Sequence, residues 1–406
     1  MVSEASEVLN ELFDQFLNVP SIFKNPEVLR QDYIPNRLPH RDKHIRSLGR
    51  ILAPVLRGYR CSNAFVYGKP GTGKTAVTVF VLKELARRIR EIGSDVRTCY
   101  VNCRLTGTEY RILSRLCSAI GLRIPFTGLA TDEVFERFVR ALRKRSPFLI
   151  VALDEIDALV KNKGDRLLYA LTRIDSFKSG KLSFVGISND LRFKDLLDPR
   201  VLSSLSEEEL VFQPYTSSEL KDILIDRASL AFIDGVVTEG AINLCAALAA
   251  AEHGDARRAL DLLRVAGELA EYKASLKVTE EHVRQARARI EKDRISEVID
   301  GLPLHSRLIL ASIYLLERLS RNCTTGGIYA TYAKLCKEIG VGALTSRRVS
   351  GLINELDVMG LVSARVTSMG RYGRTKRVRL VTPLEVVERT LFKSRPIRNV
   401  IKNMVL

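Results

Sequence analysis

No stretch of this 406-residue chain approaches the ~20 apolar residues that span a bilayer. Met1-Val2-Ser3-Glu4 lacks the basic-then-apolar layout of a secretory signal. The expectation is a soluble cytoplasmic protein with no membrane partner. Seven cysteines (Cys61, Cys99, Cys103, Cys117, Cys245, Cys323 and Cys336) include no C-x-x-C pair, and most fall inside apolar helical or strand patterns. They read as reduced core thiols, which again fits the cytosol. His40 and His44 could share a helix face, but no third ligand lies near them, so no zinc site is expected.

Enough apolar residues are present, at 46 % of the chain, for two or three domains each to bury a core. A formal charge of +17 and a pI near 9.7 exceed what solubility needs, and they point to a polyanionic partner if the charge concentrates anywhere.

The stretch that organises the chain is Gly68-Lys69-Pro70-Gly71-Thr72-Gly73-Lys74-Thr75, set between the apolar run Ala64–Tyr67 and a helical pattern from Ala76 to Ile92. This is a strand, a phosphate loop and a helix. The glycines let backbone N–H groups converge on a polyphosphate, and the helix N-terminus adds its positive end. Lys74 reaches the outer phosphates and Thr75 offers a hydroxyl to Mg²⁺. Val96–Val101, Phe148–Leu153 and Leu182–Ile187 are further strand-like runs between helical patterns, the mark of a parallel sheet covered on both faces. The second ends in Asp154-Glu155, two carboxylates at the strand end where ligands bind. Asp154 suits a water-mediated hold on Mg²⁺ and Glu155 suits polarising the attacking water. Asn189, just past the third run, would stand level with Asp154. Spacing alone leaves Arg200 open between a surface arginine and a cation acting on a neighbour's nucleotide. It leaves Arg257 open between a helix-surface residue and one turned toward the nucleotide.

From Glu219 to Ile290 the pattern is purely helical, with caps at Thr216 and Thr279, and Arg284–Arg294 reads as a solvated helix running into a linker. Helical runs 304–318 and 329–339, a helix from Thr345 to Met359, and strand-like runs 361–367 and 376–381 form a winged-helix pattern. Its third helix has an apolar stripe of Val349, Leu352, Ile353, Leu356 and Met359, opposite Arg347, Ser350, Gly351 and Asn354. No acidic residue occurs between Asp357 and Glu385, while Arg365, Arg371, Arg374, Lys376, Arg377 and Arg379 crowd the hairpin around Tyr372. Such a wing suits phosphate contact. A second basic feature is the run Thr108–Ile120, with Tyr110, Leu113, Leu116, Cys117 and Ile120 on one face and Arg111, Arg115 and Ser118 on the other. Spacing alone leaves it open between a DNA grip and an ordinary surface helix.

Taken together, the segment Asp32–Arg41, the phosphate loop, Leu153–Asp157, Leu197–Leu205, Phe212–Tyr215, Gly254–Leu260, Leu344–Ser350 (with Arg348) and Gly370–Lys376 closely resemble the archaeal-type replication initiators. That family is related to the origin recognition complex and cell division control proteins, a branch of the AAA+ ATPases. The resemblance covers nearly the whole chain. It implies an α/β AAA+ phosphate-loop core with an α-helical lid and a C-terminal winged-helix domain. The implied boundaries are an N-terminal tail 1–20, the core 21–213 with an initiator-specific insertion at about 104–123, the lid 214–295, the winged helix 296–395 and a tail 396–406. It further implies Asn189 as first sensor, Arg257 as second sensor, Arg200 as an arginine finger in trans, and nucleotide contacts from Tyr215 and Arg227. The implied activity is ATP-dependent binding of origin double-stranded DNA and recruitment of the replicative helicase, with weak ATPase, ATP/ADP and Mg²⁺ as ligands, and other copies or paralogous initiators as partners at the nucleoid. A branch-migration motor or a nucleotide-gated transcription regulator would share these parts. The basic inserted helix argues for the initiator over both.

Overall fold

The computed structural model describes Phe13 and residues 21–125, 127–145, 148–174, 181–205, 208–368 and 374–405. The expected piece around Leu9, Leu12 and Phe16, and the wing-tip residues Gly370, Arg371, Tyr372 and Gly373, lie outside the described residues, and Arg374 is described in its backbone alone. The chain forms two compact units, Met1–Ala286 and Arg287–Leu406.

In the first unit, strands β1 (Ala64–Gly68), β2 (Val96–Asn102), β3 (Phe148–Asp154), β4 (Lys181–Ser188) and β5 (Glu208–Phe212) make one sheet in the order β2-β3-β4-β1-β5. All its pairings are parallel. The fifth strand was not read from sequence. Side chains alternate along β3 between two cores: Ile150 and Ala152 meet Leu48, Leu52, Val77 and Val81 on one face, and Leu149, Val151 and Leu153 meet Leu113, Phe138 and Leu159 on the other. That alternation into two apolar layers is why β3 reads as an unbroken apolar run. The order sets β4 between β1 and β3, so the phosphate loop, Ser188-Asn189 and Asp154-Glu155 leave the same edge side by side.

Between β2 and β3 the helix Glu109–Ala119 starts at Thr108, whose hydroxyl accepts the Arg111 N–H. It buries Ile112, Leu113, Leu116 and Cys117 and leaves Arg111 and Arg115 exposed. The lid consists of helices Ser217–Ala231, Glu239–Ala251 and Ala256–Tyr272. The first opens with a capping box between Thr216 and Glu219. A continuous helix, Glu280–Asp300, then runs through the stretch expected to end in a linker.

The segment before the core is anchored in the lid. Phe23 stacks on Phe232 with ring centroids 4.5 Å apart, and Lys24 N–H donates to the Ala231 carbonyl at 2.8 Å. From there the chain crosses to the core as a strap, residues 30–39.

In the second unit, helices Leu304–Arg318, Thr325–Ile339 and Ser346–Val358 pack beside the antiparallel pair β6 (Val362–Ser368) and β7 (Arg374–Leu380). Val349, Leu352, Ile353 and Leu356 are buried as the stripe predicted, but Met359, past the helix end, is 51 % exposed. The expected tail 396–406 is instead a helix, Arg395–Val405, whose Ile397, Val400 and Ile401 belong to this unit's core. All seven cysteines are buried and free.

Candidate functional site

The phosphate loop, the strap and the lid enclose a cavity of about 730 Å³. Lys74, Thr75, Asp154, Glu155, Asn189, Tyr215, Arg227 and Arg257 all line it, as do Gly71 and Gly73. Sequence spacing scattered these residues over nearly two hundred positions, and the shared sheet edge and the lid bring them together. Gly68, Pro70 and Thr72 form the rest of the turn around Lys74.

Lys74 is 4 % exposed, and its ammonium donates to the Gly68 and Lys69 carbonyls at 2.8 and 2.7 Å. Burial pulls its pKa down to about 8, against the attraction of Asp154 and helped by the like charge of Arg257. An ammonium so desolvated, beside loop amides and Arg257, matches an anionic ligand. The oxygens nearest Lys74's neighbour suit a hard cation: Thr75 Oγ1 donates to Asp154 Oδ2 at 2.7 Å. The Tyr100 hydroxyl donates to that same Oδ2 at 2.7 Å, and Glu155 N–H donates to Oδ1 at 2.8 Å. Burial, with Asp154 beside it, raises the Tyr100 pKa. Glu155 sits at φ +50° as the cap of the helix Ile156–Lys163, 3.8 Å from the Arg104 guanidinium. Asn189 is steadied from below, its N–H 3.4 Å from Asp157 Oδ1.

The lid touches the loop directly. Ala256 N–H donates to the Gly71 carbonyl at 3.2 Å, at the start of the helix that carries Arg257. Asp255 caps that helix, its Oδ1 accepting Arg257 N–H at 2.8 Å. The same carboxylate fills the space that a Cβ on Gly71 would need. One residue earlier, Gly254 has φ +69°, and a Cβ there would collide with the Tyr215 carbonyl and lie 2.9 Å from Tyr215 N. Gly254→Ala should therefore cost about 2–4 kcal/mol, from left-handed strain plus overpacking. A chemical-denaturation midpoint unchanged from the parent protein would show that the hinge yields.

Arg227 and Arg200, which the resemblance places at nucleotides, are both held by protein groups. Arg227, 8 % exposed, donates to the Val28 and Tyr33 carbonyls at 3.0 and 3.3 Å and lies over the Tyr33 ring. It lines the cavity while fastening the strap to the lid. Arg200 does not line the cavity. Its guanidinium grips Asp198 with both arms at 3.0 Å and holds that carboxyl down to about 2.

Arg41 was missed as a functional residue. It is 3 % exposed and donates from Nε to the Thr72 carbonyl at 2.9 Å and from Nη2 to the Gln213 carbonyl at 2.8 Å. Its guanidinium lies 3.7 Å from the centre of the Tyr215 ring. One side chain thus ties the phosphate loop to the hinge between core and lid. The only local signal was its place at the end of the proline-stiffened segment.

The second unit carries a separate basic face. In the hairpin register Arg365 stands opposite Arg377, and Arg379 lies two residues further on the same side. Like charges facing each other are destabilising without an anion to share. Arg347 and Arg377 are exposed, Arg348 pairs with Glu355 at 3.5 Å, and Lys376 donates to Asn354 on the third helix. Ser350 is half-buried on that helix.

Comparison with known proteins places these parts. Residues 297–390 match the family "CDC6, C terminal winged helix domain", 221–288 match "Cdc6 AAA+ ATPase-type lid domain", and 57–194 match "AAA domain". An ORC1-type DNA replication protein of Thermococcus onnurineus is 51 % identical over 93 % of each chain. One from Sulfurisphaera tokodaii is 50 % identical over 94 % of this chain and 96 % of its own. The solved structure of the Aeropyrum pernix ORC1 protein in complex with DNA is 50 % identical, with a TM-score of 0.80 over 93 % of this chain and 99 % of that one. A nucleotide-binding AAA+ core, a Cdc6-type lid and a winged helix in this order, with identity near one half along the whole length, mean that the chain belongs to the ORC1-type DNA replication proteins.

Proposed function

We propose that this chain is an ATP-switched initiator that grips origin duplex DNA with its winged helix and the helix Glu109–Ala119 and recruits the replicative helicase. The observation that carries the switch is the 3.2 Å hydrogen bond from Ala256 N–H to the Gly71 carbonyl. Through it, whatever shifts the loop also shifts the lid helix that bears Arg257. Bound ATP with Mg²⁺ would supply the phosphate charge that Lys74, Arg257 and the loop amides are arranged to meet, with the ion held at Thr75 and Asp154. Glu155 then takes the proton of the attacking water and Asn189 orients that water. Arg200 serves the site of another copy or a paralogous initiator once it leaves Asp198. Hydrolysis by the isolated chain is accordingly slow.

The structure of the Aeropyrum pernix ORC1 protein in complex with DNA supports DNA binding by this chain, and the facing arginines of the hairpin supply the chemistry. Replacing Arg347 and Arg377 together with alanine should weaken every duplex about equally and lower the salt slope of log K by about 0.9 per lost phosphate contact. Fluorescence anisotropy across a salt series measures both. Loss confined to particular sequences would make these residues base readers. Duplex affinity at moderate salt no better than that of a neutral protein of equal size would end the initiator reading. Genome-wide mapping of bound sites, with the Lys74→Ala protein beside it, tests whether those sites are origins and whether nucleotide governs them.

A further inference from the structure

From Lys43 to Lys83 the sequence contains no Asp or Glu. The helix Asp42–Leu52, acidic only at its first residue, buries Leu48 and Leu52 against the core and turns Lys43, Arg46 and Arg50 to solvent along one face. Arg57, just beyond it, is exposed as well. Among the described residues none of the four has an ion pair or a side-chain hydrogen bond. The helix packed beside it is treated differently. Arg87 pairs with Glu84 and Glu91, and Arg88 with Glu91.

Small residues lie among the bare cations. A Cβ on Gly49 would meet nothing within 4 Å, so packing does not ask for glycine there, although a helix-interior glycine costs about 1 kcal/mol against alanine. Ser47 and Ala53 flank the same face. No large apolar side chain is exposed on this helix, which leaves it without the anchor that a protein interface needs. Lys43 and Arg50 stand about 10 Å apart along the axis, close to the rise of three phosphates on one strand.

We infer that Lys43, Arg46 and Arg50, with Arg57 beside them, form a further contact surface for the phosphate backbone of duplex DNA, separate from the wing and from the helix Glu109–Ala119. This helix packs on the sheet face opposite to the one that holds Glu109–Ala119. A straight duplex cannot lie on both, so the stripe meets DNA further along a bent or longer segment. The inference rests on the reading that the chain binds duplex DNA.

The test is the full chain with Lys43→Gln, Arg46→Gln and Arg50→Gln, titrated with two duplexes over a salt series. One duplex spans about two helical turns and the other is three times longer. On the long duplex the salt slope should fall by about 2 to 3, at roughly 0.9 per contact, with the short duplex and the melting temperature unchanged. Restoring charge with Arg46→Lys and Arg50→Lys should keep the parental slope. An unchanged long-duplex slope, as expected if the stripe instead meets an acidic protein, overturns the inference, and so does equal loss on both lengths. Failure of the parent protein to hold the short duplex would strike the proposed function itself.

Discussion

Lys74→Ala should abolish useful nucleotide affinity while leaving the fold in place, with ADP bound about two to four orders of magnitude more weakly. The magnitude follows from removing one partner of a desolvated charge pair, about 3–5 kcal/mol. A pH dependence should accompany it. In the free protein burial sets the Lys74 pKa to about 8, whereas in the unfolded chain it has its ordinary, higher value. Between those two values the unfolded chain binds more protons, so the stability of the free protein rises with pH across that window. Phosphates beside Lys74 favour its charged form, so above pH 8 binding must take up a proton and affinity falls as pH increases. Calorimetry at pH 9 in two buffers of different ionisation heat should register this uptake, and at pH 6.5 it should vanish. Proton uptake that persists in the Lys74→Ala protein would assign it to another group.

Arg41→Met should cost about 10- to 100-fold in ADP affinity, the worth of one charge-assisted hydrogen bond of about 1.5–3 kcal/mol. The physical route runs through a single peptide. Thr72 C=O and Gly73 N–H belong to one planar trans unit and point in opposite directions. A guanidinium on the carbonyl therefore both polarises and aims the amide of Gly73, a residue that lines the cavity. Methionine keeps the apolar stem against Tyr215 and Phe212 but orphans the Thr72 and Gln213 carbonyls. AMP, which has no outer phosphate for the loop, should lose much less, so the ratio of ADP to AMP affinity should collapse. Equal losses for both ligands would reduce Arg41 to a packing residue. Arg41→Lys, with charge but no fork, should fall between parent and methionine.

The difference between Arg41 and Lys74 explains how much of the site could be read in advance. Lys74 sits in a local pattern whose chemistry is complete within eight residues, and β1 and β3 announce themselves by apolar runs. Arg41 acquires its role from Phe212 and Tyr215, which lie far along the chain, and in a segment already rich in His and Arg nothing local marks it. β5 was illegible because it is an edge strand whose Glu208, Glu209 and Val211 face solvent, so charge masks its periodicity. The C-terminal helix did carry a signal, Ile397, Val400, Ile401 and Met404 at helical spacing, hidden by the arginines and the proline that open it. Arg227 was expected at the nucleotide on resemblance, and its use on strap carbonyls depends on how residues 28–33 thread over the lid, which no window of sequence contains.

The distribution of sulfur in this molecule also decides how its motions can be watched. With burial pushing Cys99 up to about 11 and Cys103, Cys117, Cys245 and Cys323 up to about 12, maleimide and nitroxide reagents at neutral pH find almost no native target. A cysteine introduced on the strap and another on the helix Ser217–Ala231 would then report lid travel by resonance energy transfer or electron spectroscopy in an otherwise unaltered background, nucleotide by nucleotide.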